Sequence, residues 1–484
     1  MWEERLEERL KRYENILKSS PILYKAAKAA DKSETAPETV RSVCSYVLAP
    51  SLCAYVVWVL EEALESNKKR LYFLARDAYF MYETAKLVCE AFNLPIECRY
   101  LSCSRFSVRI PMYHLNLEDA LDYICRGGID VTPEKILNRA GICEEEKENV
   151  FAELEKSGNF NYEKEELIPY AQLAEVKKTL KKSPLFMEYT TERSKAAMPA
   201  FEGYLRQEGL FDGTDAAFVD SGWVGSMQKV LNSALEYIAA EDEPRSGHFK
   251  PLEGYYWGLY ELPEDVTPKS YHCYYFSPGK NIREKICFSN CLYEAVFSAP
   301  HGMTLEYEEK DGKYFPVYGE ISEEQKDFMK ECRICFADFT NALISQTFEN
   351  NKNISGKEAL SFICARTDKK IIYRLLKCFM GEPCAQEADV FGSLHFSDDV
   401  IDYKQQNLAA ELTQDELKAN HGFAKILSMT GLKKGHIKES AWYEASAVRA
   451  GINVKRHLKG YRSYKRLLYI RKRHIWRKTY GKIK

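Results

Sequence analysis

The stretch Leu71-Tyr-Phe-Leu-Ala-Arg-Asp77, followed by residues 78–93 (AYFMYETAKLVCEAFN) and residues 97–102 (ECRYLS), decides the fold. The first run is short, apolar and ends abruptly in charge, the second places apolar residues at helical spacing, and the third is again short, with Ser102, Ser104 and Arg105 at its end. Strand, helix, strand with polar residues at the strands' carboxyl ends predicts a parallel α/β sheet. Ligands of such sheets gather beyond those ends. Arg76, Asp77, Ser102, Ser104 and Arg105 are therefore expected to be neighbours, although some are about 25 residues apart.

Working outward, residues 115–207 are polar and helical throughout, which predicts a helical cap inserted into the sheet domain. The strand pattern resumes at Ala216-Ala-Phe-Val-Asp220 and returns over 255–262 (YYWGLYEL) and 271–277 (YHCYYFS). An N-terminal helical segment of residues 1–40 thus precedes a Rossmann-like core of residues 41–114 and 208–300. The aromatic clusters of the last two strands read as core. Beyond residue 300 a hairpin is predicted over 304–321 around Asp311-Gly312. Helices are expected over 323–350, 356–366 and 369–379, making residues 301–454 mostly helical.

The uncharged run of residues 43–60 (VCSYVLAPSLCAYVVWVL) approaches the length of a membrane span. Pro50 divides it, and proline suits a first helical turn. The expected parse is a coil ending at Ala49 and a helix from Pro50 to about Ser66, buried against the sheet. The chain has 484 residues, 45% hydrophobic and 29% charged, which excludes a disordered regulator and a disulfide miniprotein. Its fifteen cysteines are irregularly spaced behind a charged, helical N-terminal pattern, so thiols in a reducing cytoplasm are expected. The pairs Cys332/Cys335 and Cys287/Cys291 lie in helical patterns and read as buried core rather than zinc ligands.

The strongest chemical signal is Phe218-Val-Asp220-Ser-Gly222-Trp-Val-Gly225-Ser226. A buried strand ends in a carboxylate, two glycines permit a tight turn, and a helix opens near Ser226 with free N–H groups and the positive end of its dipole. That arrangement suits a phosphate or other anion. Asp220 could hold a divalent ion against the same anion. Asp77 ends another strand beside a guanidinium, so the two aspartates could converge on a metal while Arg76 and Arg105 neutralise phosphoryl charge and Ser102 and Ser104 donate hydrogen bonds. His301, in the loop Ser-Ala-Pro-His-Gly-Met-Thr304, is a candidate substrate-positioning residue that Glu294 could join.

The runs RLYFLARDAYFMYE, RYLSCSRFSVRIP, FVDSGWVGSMQ, GYYWGLYELP and FSNCLYEAVFSAPHGMT resemble a family of predicted hydrolases of the haloacid-dehalogenase (HAD) superfamily, found among bacterial polysaccharide and capsule biosynthesis genes. The resemblance spans about residues 40–305. It implies a HAD-like core with a helical cap, Mg²⁺, and phosphoryl transfer from a phosphorylated metabolite or sugar phosphate. It places the acid/base on Asp77, the second motif's hydroxyl on Ser102 or Ser104, and the late acidic Mg²⁺ ligand on Asp220. The nucleophilic aspartate falls on Ala75, which cannot form an aspartyl-phosphate, and only Lys195 offers itself for the family's lysine. Two other readings stay open: a noncatalytic phosphosugar-binding accessory protein, and a phosphoribosyltransferase-like enzyme, against which stands Ser221 where a second acid would follow Asp220.

The formal net charge of -2 hides an asymmetry. Residues 455–484 hold 7 Lys and 6 Arg with no Asp or Glu, so the tail carries +13 and the rest of the chain -15. The tail interleaves these cations with Leu, Ile, Tyr and Trp. As a helix it would suit the anionic inner face of a membrane. A nucleic-acid partner needs the same charges but finds no supporting module elsewhere.

Overall fold

Five apolar runs become five parallel strands: β1 (Arg70–Leu74), β2 (Glu97–Leu101), β3 (Ala216–Trp223), β4 (Glu253–Leu259) and β5 (Tyr271–Phe276). The computed structural model describes residues 2–32, 37–128, 131–158, 160–241, 249–396, 406–429 and 437–481. Side chains alternate across the sheet as the pleat requires. Leu71 and Phe73 join Ala217, Val219, Tyr255 and Trp257 in one core, while Tyr72 and Leu74 join Leu101 and Phe218 in another. The first face is covered by the helices Ala49–Glu65, Tyr79–Phe92 and Glu323–Asn350, the second by Ser226–Glu241 and the end of Pro184–Gln207. Burial on both faces explains why the strands read as nearly unbroken apolar runs.

The strand order is β2-β1-β3-β4-β5. The expected α/β, Rossmann-like architecture is present, with the 2-1-3-4-5 order of flavodoxin-like sheets rather than the 3-2-1-4-5-6 order of dinucleotide-binding ones. From β1 the chain steps outward to β2, then crosses to the opposite side of β1 to lay down β3. The order therefore reverses between β1 and β3. A crevice opens at the carboxyl ends of strands flanking such a reversal.

One local expectation is corrected. Residues ahead of Pro50 are not coil: the chain is helical from Glu38, passes through a π-helical turn at Cys44–Leu48, and continues as Ala49–Glu65. The widened turn just before Pro50 accommodates a residue that brings no N–H to the helix ladder. By length and composition this helix could cross a membrane, yet 94% of its most apolar window is buried inside the protein. The hairpin, β6 (Thr304–Lys310) and β7 (Lys313–Tyr318), forms around Asp311 and Gly312 as expected, both at positive φ. Tyr307 stacks on Tyr204 at 4.5 Å, and Met303 and Leu305 pack on the cap's own core, so the hairpin is part of the cap layer.

The cap is helical, with Ile124, Val150 and Phe186 at its centre. The helices after residue 322 and the N-terminal helices Leu6–Leu17 and Pro21–Ala30 share one continuous core with the sheet's first face. Arg9, fully buried, ties the N-terminal helix to Glu387 through a 2.8 Å ion pair. The cysteines remain thiols, and Cys332 and Cys335 are buried core as expected. Tyr255, Tyr256, Trp257, Tyr274, Tyr275 and Phe276 are likewise buried.

Candidate functional site

β1 pairs with β3 only as far as Phe73 and Val219, whereas β3 runs on beside β4 to Trp223. Beyond Val219, β3 therefore faces the turn Ala75–Ala78 instead of a strand. That turn carries Arg76 and Asp77. The Ser221 hydroxyl donates across the gap to Asp77 Oδ2 at 2.5 Å, and the Ser221 N–H donates to Asp220 Oδ1 at 2.8 Å. The two aspartates predicted to converge are thus linked through one serine at the point where strand order reverses.

Two glycines make this geometry possible. Gly222 has φ 112°, and a Cβ there would lie 2.6 Å from the Gly258 carbonyl oxygen of the paired strand. Gly225 has φ 71°, and its Cβ would meet the Tyr271 ring at 2.7 Å. Trp223 between them also has positive φ, 68°. The chain turns over these residues into the helix Ser226–Glu241, whose first N–H groups have no partner within the helix. From below, the Tyr55 hydroxyl of the core helix lies 3.0 Å from the Asp220 carbonyl oxygen and 2.9 Å from that of Tyr255, fixing β3 against β4.

A third carboxylate belongs to the group. Glu294, on the helix Asn290–Phe297, accepts the Trp223 indole N–H at 2.5 Å. Asp77, Asp220 and Glu294 keep part of their surface open, but their carboxyl groups are deep enough that burial dominates their ionisation. Burial, reinforced by Asp77, pushes Asp220 up to about 8 and Glu294 also up to about 8. Burial raises Asp77 too, opposed by the Ser221 hydrogen bond and by Arg76 and Arg105. Neither guanidinium forms an ion pair within 4 Å among the described residues, so both remain available to an anion. Tyr293, completely buried, has a hydroxyl with no hydrogen-bond partner and lies within electrostatic reach of Asp77 and Asp220.

These shifts fix a pH dependence. Asp220 and Glu294 hold their protons more tightly folded than unfolded, where carboxyls titrate near 4. Their contribution to stability is complete below about pH 4 and is lost as pH rises through about 8. Asp220→Asn should therefore melt above the parent at about pH 9 and lose that advantage at about pH 4, as thermal unfolding at the two pH values will read.

A second wall stands at the end of β2. The Ser102 hydroxyl hydrogen-bonds the Tyr318 hydroxyl at 2.6 Å, Tyr318 stacks on His301 at 4.1 Å, and His301 Nε2 lies 2.9 Å from the Tyr100 hydroxyl. His301 Nδ1 is 2.8 Å from the Gly302 carbonyl, so Nδ1 carries the proton and Tyr100 donates to Nε2. Burial, with Arg76 adding to it, lowers the His301 pKa and keeps the ring neutral. Ser104 serves the fold: it caps the helix Arg105–Arg109, and its hydroxyl donates to the Thr304 carbonyl at 2.6 Å. Lys195 is exposed on the cap helix beside His114.

Asp77 and Asp220 are thus brought together through Ser221, with Arg76 and Arg105 in electrostatic range of Asp77, whereas Gly225 lies against Tyr271 and Leu259 of the neighbouring strands. Ser221, Trp223 and Tyr293 are residues of this group that the sequence does not announce. Glu294 was associated with His301, whereas its hydrogen bond goes to Trp223 and its strongest charged neighbour is Asp77. A lone acid in the apolar helix NCLYEAVF was the available signal.

The oxygen donors of Asp77 and Asp220 suit a hard cation, and each carboxylate has one oxygen not used by Ser221. Among the described residues no group of three or more His, Cys, Asp and Glu side chains is arranged to hold a metal. The fit is to two protein ligands with the remaining positions filled by substrate and water, a common arrangement for Mg²⁺. No known family model matches the chain, and no curated protein matches it. What fold and site define is an α/β protein with a carboxylate-lined switch-point crevice.

Proposed function

We propose that the protein is a HAD-like phosphoric ester hydrolase acting on a phosphorylated metabolite or sugar phosphate in polysaccharide biosynthesis. The observation that carries this reading is the Ser221-linked pair Asp77 and Asp220 at the strand-order reversal, with the Arg76 and Arg105 guanidinium groups in electrostatic reach of Asp77. The phosphoryl group lies against the first N–H groups of the helix Ser226–Glu241, with Arg76 and Arg105 on its oxygens. Asp77 and Asp220 would hold Mg²⁺, which would supply charge compensation for the phosphoryl oxygens.

Ala75 excludes an aspartyl-phosphate, so water is the nucleophile. Burial raises the Glu294 pKa and favours its protonated form, and Glu294 gives that proton to the leaving oxygen. The glutamate then recovers a proton from the water that has attacked phosphorus. Glu294→Gln should slow phosphate release from sugar phosphates by about 10²-fold with KM little changed. Trp223→Phe removes a hydrogen bond that lowers the Glu294 pKa, so the alkaline limb of the rate profile should move to higher pH.

Ala75 also favours a second reading, a binding protein without turnover. A phosphate-release screen with Mg²⁺, run beside thermal shifts with nucleotide sugars and sugar phosphates, separates the two. Release lost in both Asp77→Asn and Asp220→Asn supports the hydrolase; stabilisation by ligand without release removes it.

A further inference from the structure

The basic tail is an ordered helix, Val454–Tyr480, of 27 residues and about 40 Å. One side is fastened to the body along its length. Val454, His457 and Leu458 are buried, Lys465 pairs with Glu444 at 3.2 Å, Tyr469 stacks on Tyr260 at 5.6 Å, and Lys472 reaches Glu261 at 3.0 Å. The other side is open. Leu467, Ile470 and Ile475 are 41%, 42% and 52% exposed. At 100° per residue they fall within an arc of about 140°. Arg466, Arg471, Arg477 and Lys478 are exposed among and beside them, and residues 455–484 contain no acid.

Beside the first half of this helix lies a groove of about 620 Å³ lined by Arg283, Lys377, Lys455, Lys459, Arg462 and Arg466. Glu382 is the one acid in its lining, and it already pairs with Arg462 at 3.1 Å and Lys377 at 3.7 Å. Arg283, Lys455, Lys459 and Arg466 form no ion pair among the described residues. Arg466 belongs to both groove and exposed face, so the two are continuous.

We propose that this groove and the exposed face of the terminal helix form one docking surface for an anionic phospholipid bilayer. The groove receives phosphate headgroups, and Leu467, Ile470 and Ile475 enter the headgroup–acyl boundary. The aliphatic residues decide between polyanions. Exposed leucine and isoleucine gain nothing from a nucleic-acid phosphate backbone, whereas burial in the interface is where an amphipathic basic helix finds its affinity. The rest of the chain, at -15, carries the sign that an anionic surface repels. The basic groove and the exposed apolar residues lie on this one face, which would orient the protein on the bilayer.

The test is co-sedimentation of the full chain with phosphatidylcholine–phosphatidylglycerol vesicles against pure phosphatidylcholine. Binding is expected only to the anionic vesicles, and high salt should release it. Arg466→Gln with Arg471→Gln should lower partitioning about 30-fold, at about fivefold per cation. Leu467→Ser with Ile470→Ser should lower it by about tenfold or more, while Lys178→Gln on the exposed cap should leave it unchanged. All these positions are solvent-exposed, and unchanged melting temperatures will confirm that the variants are folded. Equal binding to neutral vesicles, indifference to salt and to the paired Arg substitutions, no binding, or tighter binding to duplex or single-stranded nucleic acid would each overturn the proposal.

Discussion

Asp77→Asn is expected to lower the rate of phosphate release by about 10³-fold while leaving the fold intact. Asparagine keeps an oxygen to accept the Ser221 hydroxyl, so the turn after β1 retains its hydrogen bond to β3. What is lost is the negative charge that raises its two neighbours and that, on the proposed function, would hold the cation. Asp77 is the principal charged influence pushing Asp220 and Glu294 up. Removing it should therefore also draw the alkaline limb of any residual activity to lower pH. A residue that merely supports the fold would not move that limb. Steady-state rates across pH, with melting temperature as the control for folding, give both readouts from one variant.

Gly222→Ala should cost about 3 kcal/mol of stability and abolish the site. The added Cβ would meet the Gly258 carbonyl oxygen at 2.6 Å, and the backbone at φ 112° is one that alanine scarcely adopts. Because both objections concern backbone, no side-chain rotation relieves them. The end of β3 would have to pull away from β4, carrying Asp220, Ser221 and Trp223 with it. Denaturant unfolding measures the loss, and Gly213→Ala makes an informative control. Gly213 also has positive φ, 79°, but a Cβ there would meet nothing within 4 Å, so its cost should be confined to the backbone term of about 1 kcal/mol.

The strands were legible because a sheet buried on both faces writes itself as apolar runs with charge or glycine at the end. Leu71–Leu74 and Ala216–Val219 are such runs, and their terminal Asp77 and Asp220 could be read as a pair before any strand order was known. Strand order itself was not legible. The crossing from β2 back past β1 to β3 passes through about a hundred residues of cap, and nothing local in those residues states on which side the chain returns. The π-helical turn before Pro50 was hidden for a related reason: proline at a first turn is the simpler local solution, and burial of residues 43–60 on nearly every side supplied the energy for the alternative. The partner of Glu294 escaped because an acid in an apolar helix acquires meaning only through the groups it meets, here Trp223 from a turn some seventy residues earlier. The hairpin was visible in Asp311-Gly312, but its allegiance to the cap depends on Tyr307 finding Tyr204, a long-range aromatic contact.

We propose that the gap between β1 and β3 is an anion site that a divalent cation would complete. A crystal structure determined with Mg²⁺ and vanadate tests this most directly. The expected result is vanadate at the N-terminus of the helix Ser226–Glu241 with Arg76 and Arg105 on its oxygens, and Mg²⁺ bound by the free oxygens of Asp77 and Asp220. Vanadate bound elsewhere, or the two aspartates left with no cation between them while Mg²⁺ is in excess, would contradict it.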